Sequence, residues 1–452
     1  MGLILYYYSA CLPGIKNRGA EFTECLYFSR QSPPIFSAYP PVDVHTGIWE
    51  GCEMTLTQLA LQRAGFDTLL GFQRAMGLAP SGQEDLLTRQ ALLPYLTGYE
   101  VYRLQPGDTY ARLAQSHGTT VRALVTANPD QDPERLVAGQ YLTVPFGFSV
   151  VPTTVPFTYT VLQLTLQGLK ARYPFLIVNA ITQTRFGRKV PQIAAGIGTR
   201  RVVYNAAHHA NEWITTPVLL RFLEQYAQAV SENGSIFGYP AQELYQRTKL
   251  HMVPMVNPDG VDLVTGAIAP DSEEYRQAEQ IAARYPQIPF PDGWKANLSG
   301  VDLNLNYPAG WENARQIKFA QGYTTPAPRD YVGAAPLDQP ESAAMAELTR
   351  LVDPRLTLSY HTQGNVIYWK YLDMEPPGAR QIGERFADVS GYLLEDTPRA
   401  SGYAGYKDWF ILIYDRPGYT IEVGLGESPL PLSQFEEIYR RNLGILTLGL
   451  TL

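Results

Sequence analysis

The chain has 452 residues, too many for one ordinary domain, so two to four structural units are expected. Hydrophobic residues make up 45% and charged residues 17%, enough apolar material for substantial cores. Thirty-six Lys plus Arg against 43 Asp plus Glu leave a net charge of −7, which argues against a nucleic-acid binder, and no run of about 18 apolar residues predicts a membrane span.

The first segment, residues 1–35, mixes short apolar and polar patches and ends at Ser32-Pro33-Pro34; it reads as strand-like. Its start, M-G-L-I-L-Y-Y-Y-S-A-C, has no basic region and only a short apolar stretch, so it reads as a strand rather than a signal peptide. Cys11, Cys25 and Cys52 are the only cysteines. An odd, small number is no disulfide framework and is compatible with a reducing compartment.

Three short helices are predicted next, near residues 55–64, 66–76 and 86–96, from apolar positions three and four apart. Gly65, Gly77 and Pro80-Ser81-Gly82 punctuate them. The phrase F-Q-R-A-M-G-L-x-x-S-G-x-x-x-x-x-T-R-x-A-L resembles the three-helix peptidoglycan-binding module of bacterial wall hydrolases, which assigns residues 36–97 to such a module.

Residues 98–147 read as strand, helix, helix, strand. Pro106-Gly107-Asp108-Thr109 supplies a turn, Asp108 or Thr109 caps the first helix, and Asn128-Pro129 ends the second. This string resembles a LysM domain, which implies binding of N-acetylglucosamine-containing glycans. Residues 148–156, with Val150 to Pro156 at their centre, read as a stiff linker.

From residue 157 to 452, helical patterns alternate with short apolar runs: F-L-I-V-N-A-I, R-V-V-Y-N-A-A, L-H-M-V-P-M-V-N, L-T-L-S-Y and G-Y-T-I-E-V. Such runs suit buried central strands, so the fold class is α/β, a mixed central sheet with helices on both faces. Ligands of such sheets bind at the carboxyl ends of the strands.

Candidate chemistry sits at those ends. In N-A-A-H-H-A-N-E-W a β run feeds into His208-His209, with Glu212 three residues on. His209 and Glu212 are then placed to reach one Zn²⁺, and a catalytic zinc site wants three protein ligands. His361 qualifies as the third, because the apolar run T-L-S-Y stops at it. His208 would point the other way, and His251 precedes an apolar run and reads as structural.

These strings, together with Asn257-Pro258-Asp259-Gly260 and G-V-D-L-N-L-N-Y-P, occur in one order at domain-scale spacing. They resemble the zinc carboxypeptidase family, and more closely its bacterial γ-D-glutamyl–diaminopimelate endopeptidases, which carry LysM modules. The resemblance implies one Zn²⁺ on His209, Glu212 and His361, with Glu422 of T-I-E-V as the general base. A carboxylate ending an apolar strand is independently a functional candidate, because burying it without a task is costly.

Departures from the family are informative. Where exopeptidase members carry an Arg that grips the terminal carboxylate, this chain has Leu305, beside Asn304. Leu cannot reproduce a bidentate clamp. Lys295, after Trp294, stands near the position of the family's oxyanion-stabilising Arg. Tyr403 and Tyr406 are both candidates for its mobile Tyr. Lys407, just before Asp408-Trp409, falls at the floor of its specificity pocket and suits an anionic substrate group.

The reading is therefore a zinc-dependent hydrolase of peptidoglycan stem peptides, cutting the γ-D-Glu–meso-diaminopimelate amide through a zinc-bound water. Its partners are peptidoglycan or muropeptides and, through the LysM, glycan. Without a signal peptide the expected location is cytoplasmic or a sporulation compartment, with cell-wall association. Two other readings fit the same residues: a metallocarboxypeptidase acting on acidic C-termini, and a catalytically inactive wall-binding adaptor.

Overall fold

The computed structural model describes residues 54–452; the strand-like segment expected over 1–35 and all three cysteines lie outside the described residues. Thr55 caps the first helix, α1 (Leu56–Ala64), through a reciprocal box with Gln58, and Gly65 closes it in the left-handed conformation. Thr68 caps α2 (Leu69–Ala75) and Asp85 caps α3 (Leu86–Thr97). Ala60, Leu61, Phe72 and Leu92 fill the space between these helices.

Strand β1 (Tyr99–Arg103) pairs antiparallel with β2 (Tyr141–Pro145), and α4 (Tyr110–Ser116) and α5 (Val121–Ala127) lie between them in the chain. Thr109, not Asp108, caps α4; Asp108 instead accepts from Gln105 N. Asn128 ends α5, and its side chain exchanges hydrogen bonds with the Thr143 backbone, which locks α5 to β2.

The segment expected to be a linker is not solvated. Val150, Val151 and Val155 are buried in the same core as Phe157 and the large sheet. Glu224 of the long helix Thr215–Glu232 accepts from Ser149 Oγ, from Val150 N at 2.6 Å and from Val151 N, and pairs with Arg172 at 3.3 Å. Arg63 of α1 donates to the Ser149 and Val150 carbonyls, so α1 is tied to the same node. Arg122 of α5 donates to the Ser231 carbonyl.

The remaining chain builds an eight-stranded mixed sheet, preceded by α6 (Tyr159–Arg172). Its strands are β3 (Ile177–Gln183), β4 (Lys189–Ala195), β5 (Arg200–Ala206), β6 (Thr248–Val253), β7 (Leu356–His361), β8 (Val366–Tyr368), β9 (Leu393–Glu395) and β10 (Gly418–Glu422). In these labels the order across the sheet is β9-β8-β10-β7-β5-β6-β4-β3. Strand β5 lies between β6 and β7, parallel to both. The chain runs from β5 to β6 on one side and then crosses over β5 to β7 on the other, so the carboxyl ends of β5 and β7 border the switch point where such sheets hold ligands.

Helices cover both faces, as expected. One face packs on α7 (Thr215–Glu232) and on the C-terminal helix Phe435–Thr451; the other packs on Pro340–Val352 and Tyr406–Tyr414. Strand β7 is buried along its whole length, which explains its unbroken apolar pattern. Among the described residues no helix is long and apolar enough to cross a membrane.

Candidate metal centre

Strand β5 ends at Ala206, and Ala207 adopts a positive φ of 51° that turns the chain sharply. The turn sends His208 and His209 into different surroundings. The 3₁₀ turn Ala210–Glu212 then brings Glu212 back beside His209. From the neighbouring strand, β7 delivers His361 at its last position.

The three side chains converge. His209 Nδ1 lies 2.9 Å from Glu212 Oε1, His361 Nδ1 lies 2.9 Å from Glu212 Oε2, and the two Nδ1 atoms are 3.3 Å apart. Two ligands about 2.05 Å from one ion in tetrahedral array stand about 3.3 Å apart, so the spacing fits a zinc site. Among the described residues this is the only such group of three His, Cys, Asp or Glu. The donor set, two imidazoles and a carboxylate, is that of an open catalytic zinc site.

The surroundings carry an excess of negative charge. Burial opposes a charged His209, yet Glu212 and Asp302 push its pKa up to about 9. Asp302 Oδ1 lies 3.2 Å from His209 Nε2 and accepts from Asn304 N, while Oδ2 accepts from Asp330 N. A carboxylate on the far nitrogen fixes the ring's orientation and tautomer for metal binding. The motif reading named the G-V-D string but gave Asp302 no role; a carboxylate inside a shared motif was the available signal.

Glu422 ends β10, in register with His361 of the parallel strand β7. Desolvation, then the Glu212 carboxylate, push its pKa up to about 8, against the pull of Lys295 and His209. Lys295 Nζ donates to Glu212 Oε1 at 2.9 Å. Burial works against its charge, but Glu212 outweighs burial and holds the pKa above the ordinary lysine value. The structure therefore brings His209, Glu212, His361, Glu422 and Lys295 into one site.

The other expected residues are placed differently. His208 is fully buried with Nε2 3.0 Å from Tyr307 Oη, outside the converging donors. His251 meets Gln192 Nε2 at 3.0 Å within the sheet. Tyr406 is a core residue: its hydroxyl lies 2.8 Å from Thr349 Oγ1 and its ring packs near His208 and Tyr307. Tyr403 keeps partial exposure and lies against Gly310. Asn304 Oδ1 accepts from Tyr406 N, which leaves its Nδ2 as the free donor.

Lys407 is 4% exposed. Its ammonium donates to the Lys370 carbonyl at 2.6 Å and to Thr397 Oγ1, and pairs with Asp408 Oδ1 at 2.7 Å. The ammonium is thus held inside the protein by two hydrogen bonds and an ion pair. Leu305 packs with Trp311, Val332 and Ala404 in an apolar cluster. Asn257, of the N-P-D-G string, caps the helix Pro258–Val264 and donates to the His208 and Ala296 carbonyls, bracing the site from β6.

Comparison with known proteins agrees with this geometry. The zinc carboxypeptidase family model matches residues 162–443, and a LysM domain model matches residues 102–145. Gamma-D-glutamyl-L-diamino acid endopeptidase 1 of Lysinibacillus sphaericus is 45% identical over 296 residues, 66% of this chain and 72% of that protein. The uncharacterized protein YqgT of Bacillus subtilis is 38% identical over 276 residues, 61% of this chain and 72% of that protein. Among solved structures, carboxypeptidase A from Helicoverpa armigera aligns with a TM-score of 0.51 at 17% identity, covering 86% of this chain and 85% of that one. Thrombin-activatable fibrinolysis inhibitor aligns with a TM-score of 0.52 at 14% identity, covering 81% and 96%. Both share the fold.

Proposed function

The chain belongs to the zinc carboxypeptidase family, and on that footing we propose that it is a peptidoglycan stem-peptide endopeptidase cutting the γ-D-glutamyl–meso-diaminopimelate amide. It is a zinc metallopeptidase; the bond it cuts is the proposal. One observation carries the endopeptidase reading. The converging donors and Glu422 are all in place, while the position of an exopeptidase's carboxylate clamp is Leu305, packed into an apolar cluster. The Lysinibacillus relative, whose name specifies a γ-D-glutamyl–diamino acid bond, supports the substrate class.

His209, Glu212 and His361 would hold the zinc. When bound, zinc polarises a carbonyl and makes a coordinated water acidic enough to attack near neutral pH. Glu422 takes the proton of the attacking water on its carboxylate and passes it to the leaving amine of the diamino acid. Lys295, anchored by Glu212, stands as the cation for the charge that develops on the scissile oxygen. Asp302 keeps His209 oriented, and Asn304 offers its Nδ2 to the substrate backbone.

The LysM match supports wall-glycan binding through N-acetylglucosamine and an association with the cell wall. That module would concentrate the enzyme on its polymer. The test is digestion of defined muropeptides with the zinc-loaded protein and mass spectrometry of the new termini. A new γ-D-glutamyl C-terminus and a free diaminopimelate amine are expected. Release of C-terminal amino acids alone would mean a carboxypeptidase, and no hydrolysis at all an inactive adaptor.

A further inference from the structure

A γ-linked glutamyl residue keeps its α-carboxylate, four bonds from the scissile carbonyl carbon. A site built for such a bond needs a cation close to the reacting carbonyl. Leu305 cannot supply one, and Lys407 is buried, ion-paired with Asp408 and hydrogen-bonded to the Lys370 carbonyl and Thr397.

The segment 327–331 runs as a strap along residues 295–302. Lys295 N and Ala296 N both donate to the Pro328 carbonyl, at 2.8 and 2.9 Å, and Ala327 N donates to the Gly300 carbonyl. Asp302 N donates to the Tyr331 carbonyl at 2.8 Å, and Asp330 N donates to Asp302 Oδ2 at 3.2 Å. The strap is therefore stitched to the residue carrying the Lys295 cation and to the carboxylate that orients His209. Asp330 holds a positive φ of 67°, a costly conformation for a residue with a side chain, retained in a strap bonded on both sides of it.

Arg329 sits between those two attachment points. Its side chain is 40% exposed, and Nε donates to Asp330 Oδ2 at 2.8 Å. Among the described residues nothing bonds Nη1 or Nη2. Asp330 also binds Lys318 Nζ at 2.5 Å, so one carboxylate is shared by two cations and a net positive charge remains. The charge of Arg329 is felt at Lys295, and that of Asp302 at Arg329. The guanidinium therefore belongs to the same electrostatic neighbourhood as the metal donors, with a free edge of the planar fork that matches carboxylates.

We propose that Arg329 reads the α-carboxylate of the γ-linked D-glutamyl residue, and that the enzyme therefore discriminates against stem peptides whose glutamyl α-carboxylate is amidated. The role rests on the γ-D-glutamyl reading above. The distal carboxylate of diaminopimelate is less suited, because it lies seven bonds from the scissile carbon.

The experiment compares kcat/KM on a γ-D-glutamyl–meso-diaminopimelate peptide with that on the same peptide carrying an α-carboxamide on its glutamyl residue. The zinc-loaded wild type should prefer the carboxylate by roughly 10- to 150-fold, the worth of a charge-assisted hydrogen bond. Arg329→Gln should lose that preference to within about threefold, through loss on the carboxylate peptide alone, with zinc content and melting temperature unchanged. Arg329→Lys, which keeps a point charge without the fork, should retain part of it. An unchanged preference in Arg329→Gln would overturn the assignment, as would equal losses on both peptides. A third peptide, with lysine in place of diaminopimelate, separates the other carboxylate: should Arg329→Gln alter the diaminopimelate-to-lysine ratio and spare the carboxylate-to-amide ratio, the assignment is wrong. Wild type that cuts neither glutamyl peptide overturns the γ-glutamyl reading itself, and this role with it.

Discussion

Glu224 offers the sharpest test of how the N-terminal modules are joined to the large sheet. The carboxylate is buried, pairs with the buried Arg172, and accepts from two backbone amides of the segment 148–156. Replacement by Ala strands the Arg172 charge and leaves Val150 N without its acceptor. Removing one partner of a buried ion pair costs about 3–5 kcal/mol. Arg172 keeps carbonyl contacts to Phe146 and Phe148, and Arg221 also reaches Glu224, so the lower part of that range, about 3 kcal/mol, is expected. At 1.4 kcal/mol per tenfold, a loss confined to this joint opens it roughly 100-fold more often. The assay is limited proteolysis under native conditions, with cleavage mapped by mass spectrometry. Glu224→Ala should be cut within residues 148–156 far faster than wild type, while the fragment 157–452 keeps its zinc. Equal cleavage rates and equal melting temperatures would refute the idea that Glu224 holds the modules together, and the joint would have to rest on Val150, Val151 and Val155 alone.

Three further outcomes are expected. His361→Ala should lose most bound zinc by metal analysis, whereas His208→Ala, outside the converging donors, should keep it; equal loss in both would refute the ligand set. Glu422→Gln should bind zinc normally yet lose about 10²- to 10⁴-fold in turnover, and a variant within threefold of wild type would make Glu422 structural. Glu341 is 1% exposed, its Oε2 has no partner, and burial raises its pKa from 4.5 to about 7. Its raised folded pKa means that the stability it contributes is full below about pH 4.5 and is lost as pH rises through about 7. Glu341→Gln cannot ionise, so it should be more stable than wild type at pH 8, by about 1–3 kcal/mol from 1.36 kcal/mol per unit, with little difference at pH 4.5. A melting-temperature difference that does not grow with pH would refute this linkage.

The residues legible in the sequence were those whose roles depend on local chain geometry. His209 and Glu212 share one turn, and His361 and Glu422 each end an apolar strand, so short strings marked the four groups and the family resemblance gave them their roles. That β7 and β10 are parallel neighbours, which sets His361 beside Glu422, is a property of topology that no run of residues displays. The cap of α4 was equally local: the turn before it offered Asp108 or Thr109, and Thr109 is the one that caps.

What the sequence hid depends on contacts between distant segments. A stretch of Val, Thr and Pro looks like a linker until Glu224, about 70 residues on, caps its amides. Tyr406 looked available until Thr349 and His208 were found against it. Lys407 and Asp408 are sequence neighbours, which on a helix interior do not face each other. They meet here at the first turn of Tyr406–Tyr414, where the Lys370 carbonyl and Thr397 gather the lysine inward.

These placements bear on how an exopeptidase fold comes to cut inside a chain. A clamp for a terminal carboxylate selects by position, because the substrate must end where the clamp sits. Leu305 removes that requirement, and it packs, partly buried, against Trp311 and Val332 where the clamp would stand. A cation on the opposite strap, at Arg329, selects by linkage instead. It recognises a carboxylate that branches from the chain at a γ-bond, and the chain is free to continue on both sides. The same catalytic donors then serve a different substrate topology, with the change confined to where the positive charge is presented.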